Sequence, residues 1–392
     1  MSIQIVHCSD LHLDKNFNIS NLERARARKE DLNHAFSRVV EFALQNRPDI
    51  FVIGGDVFDK ISPANAAMVY LTQQIKQLHD ASIPVFVIGG NHEVPKFGMF
   101  PSLAIDVLSS AGLATVFSGS NNVQKRLLHV GSESICVSGR SYYTRFEGAN
   151  PLKDISVPLD SDYNILIIHG SLQGLSVVPS GTVLGDLNPF SADDIASGLD
   201  YLALGHFHNF FTREHNDCAI VNPGSLEKLS WAERQDEKGF AWVELHDADA
   251  NVERIPLPSR PMDEQDLTFS KDSDYTPSIQ DYLIDELSSF SDDALLCKVN
   301  LRGQMSQEQY SQLKLNEVIH TCKDKFFQLL INRKDLEVEG YGRIFLERVD
   351  SPEDAFRKRL DRRIGESAID ANERDRLELV KKLGLKYLET AR

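Results

Sequence analysis

Thiols are scarce in this chain of 392 residues: five cysteines (Cys8, Cys136, Cys218, Cys297 and Cys322) lie far apart, and no CxxC pair occurs. Odd in number and scattered, they argue against a disulfide framework and against a thiolate zinc site. Long hydrophobic runs are lacking too. Stretches such as Ile50–Ile53 and Val85–Ile88 fall far short of the roughly 20 residues that cross a bilayer. The opening MSIQIVHCSD has no basic region leading into an apolar one, so no secretory signal is expected. Positive charge is in deficit: 42 Lys+Arg face 58 Asp+Glu, a formal net charge of -16. Both parts of the chain share it, with -10 up to residue 260 and -6 beyond. Bulk attraction therefore cannot hold a polyanion here. If a polyanion is bound at all, local patches, bound cations or a partner must supply the attraction. The expectation is a reduced, cytosolic protein with no membrane partner, built of two or three domains at roughly 150 residues each.

Short apolar runs mark buried strands of an α/β protein, because strands covered on both faces do not alternate. Ile3–Val6, Ile50–Ile53, Val85–Ile88, Ile165–Ile168, Tyr201–Leu204 and Ala219–Val221 read this way. Between Asp31 and Gln45, Leu32, Phe36, Val39 and Ala43 recur at helical spacing. A second helix is expected to open at Ser62-Pro63. Strand–helix–strand alternation implies a layered sheet. Pro256, Pro258 and Pro261 then mark a domain boundary. Beyond it, a strand over Leu295–Leu301, a Ser306-x-x-Gln309 capping box and an alternating Leu336-x-Val338 describe a small α+β module. After Pro352 the chain is charged and helical, with one apolar face from Phe356, Leu360 and Ile364 and another from Leu377, Val380, Leu383 and Tyr387. The domains expected are thus 1–258, 259–350 and a helical tail, 351–392.

Five of the strand ends carry chemistry. The first runs into Asp10-Leu11-His12, the second into Gly54-Gly55-Asp56 and the third into Gly89-Gly90-Asn91-His92-Glu93. Later strands deliver His169-Gly170 and Gly205-His206-Phe207-His208. Ligands gathered at carboxyl ends of strands lie where α/β folds build sites. Carboxylate, amide and imidazole donors without thiolate suit a pair of divalent cations such as Mn, Fe or Zn. Two cations about 3.5–4 Å apart need a shared ligand, and Asp56 is the candidate. The i, i+2 spacing of Asp10 with His12, and of His206 with His208, places each pair on one side of an extended strand end. A lone DxH or HxH is usually chance; this ordered set is not.

In order and spacing these motifs resemble the calcineurin-like metallophosphoesterase superfamily, and within it the SbcD-type DNA-repair nucleases. The stretch GDVFDKISPANAAMVY resembles that branch, as do Asn222-Pro223-Gly224-Ser225 and Glu237-Lys238-Gly239-Phe240. The resemblance covers residues 1–245 well. It implies a four-layer α-β-β-α sandwich with a small α+β capping domain and a C-terminal helical tail. It also implies two divalent cations, most often Mn2+, that would serve phosphodiester hydrolysis. Asp10, His12 and His208 would hold one cation and Asn91, His169 and His206 the other, with Asp56 shared and His92 facing the scissile phosphate. Implied partners are DNA, an SMC-like coiled-coil ATPase of the SbcC type docked on the tail, and a second copy in a homodimer. Tyr142, Tyr143 and Arg145 either stack on a base and pair with phosphate or form an ordinary surface loop. The tail's apolar stripes equally suit packing on their own domain. Three residues depart from the family pattern: Glu93 where Asp is common, Asp59 where some members have a second histidine, and Asp14 where glycine is frequent. The alternatives are a phosphoesterase for small diesters or phosphoproteins, and a catalytically silent scaffold.

Overall fold

The computed structural model describes residues 2–19, 21–94, 102–118, 122–142, 150–153, 156–157, 159–174, 188–246, 249–340 and 342–343, with 359–361, 363–364, 374 and 376–381 of the tail. In chain order its strands are β1 (Ile3–Cys8), β2 (Ile50–Ile53), β3 (Val85–Val87), β4 (Thr115–Val116), β5 (Gln124–Val130) and β6 (Glu133–Arg140). There follow β7 (Tyr163–His169), β8 (Ser171–Leu172), β9 (Pro189–Phe190), β10 (Tyr201–Gly205), β11 (Phe211–His215) and β12 (Cys218–Asn222). The last are β13 (Lys238–His246), β14 (Asp249–Leu257), β15 (Met262–Phe269), β16 (Leu296–Met305), β17 (Gln328–Val338) and β18 (Gly342–Arg343). Contacts divide the chain into two units: Met1–Met262 with Ala294–Leu296, and Asp263–Asp293 with Cys297–Arg392. The first break falls at Met262, and the segments expected as cap and tail share one unit.

In the first unit, two six-stranded sheets carry the architecture, in the orders β14-β13-β1-β2-β3-β4 and β11-β12-β10-β7-β6-β5. Strands β1 to β4 run parallel, as do β12, β10, β7 and β6. Antiparallel β13–β14, β5 and β11 finish the edges. Alternate residues of each strand face opposite ways, so each sheet buries two apolar sets. Ile3, Ile5, Val52 and Phe86 meet Ile135, Val137, Ile165 and Ala203 between the sheets. Val6, Phe51, Ile53 and Val87 turn outward onto two helices, α1 (Leu22–Asn46) and α2 (Asn65–Asp80). The second sheet's outer residues Leu166, Ile168, Leu202 and Ile220 are covered by Leu172, Phe190, Ile195 and Leu199. Among the described residues this covering layer consists of β8, β9 and a 3-10 turn, Ala192–Asp194, where a helical layer was expected. The fold is a mixed α/β sandwich.

Helix α1 begins nine residues before the expected start at Asp31. The Asn21 side chain accepts from Glu23 N and Arg24 N at 3.0 and 3.1 Å and caps it. Its first turns carry little apolar residue, and Arg28 fills the buried position instead. That guanidinium pairs with Asp31 and Glu227, donates to Lys228 O and lies over the Phe17 ring. Periodicity counted on apolar residues cannot register a buried arginine. Helix α2 starts at Asn65, after Pro63. A distant carboxylate substitutes for a local cap: Asp14 Oδ2 accepts from Ala64 N at 3.0 Å, and the same carboxylate pairs with Lys29 and Lys60 at 2.8 Å each.

Among its described residues the second unit has a four-stranded sheet, β15-β16-β17-β18, and before the tail the helices α4 (Ile279–Ser289), α5 (Gln307–Leu313) and α6 (Leu315–Cys322), α3 being the short Asp106–Ser110 of the first unit. The Ser306–Gln309 capping box forms as read, with Gln309 N donating to Ser306 Oγ at 3.1 Å and Ser306 N to Gln309 Oε1 at 2.9 Å. In the tail, Leu360, Ile364 and Leu377 are half-buried, Val380 is exposed, and Lys381 pairs with Asp361 at 2.6 Å. Phe356, Leu383 and Tyr387 lie outside the described residues.

Phe36 is fully buried on α1, edge-on to Phe51 with ring centroids 6.5 Å apart. Phe36→Ala is expected to destabilise the first unit by about 3–5 kcal/mol. Both tryptophans, Trp231 and Trp242, lie in that unit, so denaturant unfolding followed by tryptophan fluorescence reads the loss directly.

Candidate metal centre

The seven residues singled out as ligands converge at the carboxyl ends of both sheets. Asp10 and His12 follow β1, Asp56 follows β2 and Asn91 follows β3; His169 ends β7, and His206 and His208 follow β10. Two close approaches make this possible. A Cβ on Gly90 would stand 2.1 Å from Asp56 Oδ1, and one on Gly205 would stand 2.2 Å from Gly54 O. A side chain at Gly205 would force the two sheet ends apart, and one at Gly90 would displace Asp56 within its own sheet.

The expected extended backbone is not what turns the side chains inward. Asp10, His12, Asp56 and His206 have φ of 53°, 44°, 49° and 108°, in the left-handed region that non-glycine residues seldom adopt. Paired loops hold the first three there, with Asp10 N donating to Gly55 O at 3.0 Å, His12 N to Asp56 O at 2.9 Å and Leu13 N to Val57 O at 2.9 Å, while His206 N donates to the Asp10 carboxylate at 3.1 Å. Strain of this kind concentrates at functional sites.

Donor atoms of Asp10, His12 and His208 lie within 4.8 Å of one another, as do those of Asp10, Asp56 and His169, and of His12, Asp56 and His92. Asp56 sits between them, with Oδ2 3.6 Å from His12 Nε2 and 3.5 Å from His169 Nε2. Its other oxygen accepts from His92 N at 2.9 Å. Asn91 Oδ1 accepts from His169 Nε2 at 2.9 Å and His206 Nδ1 at 3.0 Å. The donor set also passes a test of fit for cations: His12 Nε2 and His206 Nε2 are buried with no hydrogen-bond partner. An orphaned imidazole nitrogen is costly unless something with a vacant orbital or a proton meets it. The ring of His92 is exposed, with Nδ1 3.2 Å from Asp59 O.

Electrostatics tie the group together. Burial by itself would push the Asp56 carboxyl toward its neutral form, but His169, His12 and His92 hold it well below the usual carboxylate range. Burial opposes charge on His169 as well, and the Asp56 and Asp10 carboxylates outweigh it, setting a pKa of about 9. His169 accordingly donates from both nitrogens, Nδ1–H going to Gly54 O at 2.9 Å. Burial lowers His206 to about 3, with the charge on His169 adding to the effect.

Several contributors escaped the sequence. Glu233, in the 3-10 turn Trp231–Glu233, lies with Oε1 3.1 Å from His208 Nδ1, and no motif marks it. Lys238 and Ser225, quoted only for family likeness, bind the same Glu233 carboxylate. Glu93 is buried; burial and the neighbouring Asp56 raise its carboxyl to about 8. It accepts from Gly90 N at 2.9 Å and Phe58 N at 3.1 Å, so its length joins the Asn91 loop to the Asp56 loop. Tyr142 requires a correction. It is 6% exposed, edge-on to His169 with ring centroids 6.0 Å apart, and so supports that imidazole instead of offering a face to a base. Tyr143 and Arg145 lie outside the described residues.

The model of the calcineurin-like phosphoesterase family matches residues 3–210. An uncharacterized metallophosphoesterase of Bacillus subtilis, YhaO, is 28% identical over 255 residues, 64% of this chain and 59% of its own length. The DNA double-strand break repair protein Mre11 of Methanocaldococcus jannaschii is 26% identical over 282 residues, 69% of this chain and 70% of its own. A solved structure, TT1561 of Thermus thermophilus, aligns over 65% of this chain and 99% of its own at 12% identity, with a TM-score of 0.38.

Asp56→Asn is expected to weaken both cation sites, since one carboxylate serves each cluster; calorimetric titration with Mn2+ should show neither equivalent at wild-type affinity. Below its pKa of about 9, His169 holds at Nε2 a proton that a cation must displace. Cation affinity should therefore rise with pH toward about 9, and binding at pH 7.5 should release at least about one proton. Calorimetry in buffers of different ionisation heat measures that release.

Proposed function

The chain belongs to the calcineurin-like phosphoesterase family, and from that premise we propose that it is an SbcD-type DNA nuclease dependent on two divalent cations, preferably Mn2+. The observation that carries this reading is the convergence of six donor residues around the buried carboxylate of Asp56, with an exposed histidine beside them. The likeness to a DNA double-strand break repair protein supports DNA as the substrate, because it runs over more residues than the family domain itself. Among the described residues no helix is long and apolar enough to cross a membrane. A cytoplasmic place of action, a coiled-coil ATPase bound through the helical tail and a homodimeric state belong to the same proposal.

A pair of divalent cations, when bound, neutralises a phosphodiester and acidifies water enough to give a nucleophile at neutral pH. The chain's own residues do the rest. Asp10, His12 and His208 form one set of donors; Asn91, His169 and His206 form the other, and Asp56 presents an oxygen to each. The two sheet ends fix these atoms before substrate arrives, so little reorganisation accompanies the reaction. His92 anchors its ring through Nδ1–H to Asp59 O and its backbone N–H to Asp56 Oδ1. In the imidazolium form its other nitrogen carries the proton that passes to the departing sugar oxygen, leaving the neutral ring still bonded to Asp59 O. In a chain of -16, these donors would gather cations, and with them local positive charge, where the phosphate must sit.

Labelled single- and double-stranded DNA, incubated with Mn2+, Mg2+ or EDTA beside a bis-nitrophenyl phosphate, tests the reading. Cleavage of DNA with metal and none with EDTA is expected. Turnover of the nitrophenyl diester alone would favour a small-substrate phosphoesterase, and no turnover of either would favour a scaffold. His92→Gln is expected to retain bound metal while slowing DNA cleavage by about 10²–10⁴-fold; an unchanged rate would remove His92 from the mechanism.

A further inference from the structure

Both histidines of the first cluster rest their far nitrogen on a carboxylate. His12 Nδ1 lies 3.0 Å from Asp59 Oδ1, and His208 Nδ1 lies 3.1 Å from Glu233 Oε1. A lysine holds each carboxylate in turn: Lys15 Nζ donates to Asp59 Oδ1 at 2.8 Å, and Lys238 Nζ to Glu233 Oε2 at 2.7 Å. The two supports come from unrelated parts of the chain, one three residues after Asp56 and the other in a 3-10 turn before β13. The second cluster is built differently. His169 donates Nδ1–H to the backbone at Gly54 O, and His206 Nδ1 meets the neutral amide of Asn91.

We propose that Asp59 and Glu233 are positioning residues for the first cation, fixing the tautomer of His12 and His208 that keeps Nε2 as the lone-pair donor. The inference rests on the metal-site reading above and assigns a purpose to residues that the sequence left without one. Accepting Nδ1–H places the imidazole proton on the far side of the ring, so that no N–H opposes the cation. In agreement, His12 Nε2 is buried and without a hydrogen-bond partner. Asp59 is committed to this task. Its carboxylate is 3.0 Å from His12 but 3.8 Å from His92, which it meets through its backbone oxygen at 3.2 Å. The loop pairing that sets this direction includes Asp59 N donating to Leu13 O at 3.1 Å. Lys15 and Lys238 keep the carboxylates from turning away.

The test is a stepwise Mn2+ titration of the full chain, with free Mn2+ read by electron paramagnetic resonance, on wild type, Asp59→Ala, Asp59→Asn and Glu233→Gln. Asp59→Ala is expected to weaken one of the two equivalents by about 10–100-fold and leave the other at its wild-type Kd. Asp59→Asn and Glu233→Gln should recover most of the affinity, because an amide oxygen accepts the same hydrogen bond. Two wild-type equivalents in Asp59→Ala, equal weakening of both, or an Asn variant as weak as the Ala variant would each overturn the proposal. So would a wild type that binds fewer than two. If the equivalents divide as expected and DNA is left uncut, the nuclease reading falls and the positioning roles stand.

Discussion

A carboxylate buried among imidazoles is the constraint around which this molecule is arranged. Asp56 is almost wholly removed from water, where a lone carboxylate would take up a proton. It stays charged chiefly because the protonated His169 approaches it from the second sheet at 3.5 Å, with His12 at 3.6 Å on its own sheet. His169 could not do so unless the sheet ends met, and they meet where Gly205 passes Gly54 and Gly55 passes the His169 ring. The sandwich core therefore does more than stabilise. It sets the separation at which one acidic side chain touches ligands from both halves of the fold.

Around that centre the polar groups form shells, each justified by the one inside it. Glu233 is a buried acid tolerable because Lys238, His208, Ser225 and Leu229 N all meet it. Lys238 is a buried base tolerable because Glu233 is there. Single buried charges of this kind are costly to leave in apolar surroundings without their partner, so the network holds its geometry collectively. The carboxylates behind His12 and His208 hold those two rings in place, whereas His169 carries a proton on the nitrogen that faces Asn91.

What was legible in the sequence was legible for identifiable reasons. Strands buried on both faces wrote themselves as unbroken apolar runs, and β2, β7, β10 and β12 lie where those runs stand. The ligand residues were legible because they follow such runs, mostly beside glycine. The antiparallel edge strands were not: Gln124–Val130 is largely exposed, polar and unpatterned. The start of α1 was hidden by Arg28, whose burial depends on Glu227 and Lys228, far along the chain. Tyr142 looked exposed in a loop rich in polar residues, yet the ring lies against His169.

By itself, then, the sequence determined the class of fold, the order of strand ends and the kinds of donor atom each delivers, since these follow from local composition and spacing. Tertiary structure alone decided how closely His12 and His169 approach Asp56, that left-handed backbone turns Asp10, His12 and His206 inward, and that Asp59 and Glu233 stand behind two of the rings. The physical reason is distance along the chain. A hydrogen bond between Glu233 and His208, or a close contact between Gly54 and Gly205, depends on where two sheets stop relative to each other, and no local pattern encodes that separation.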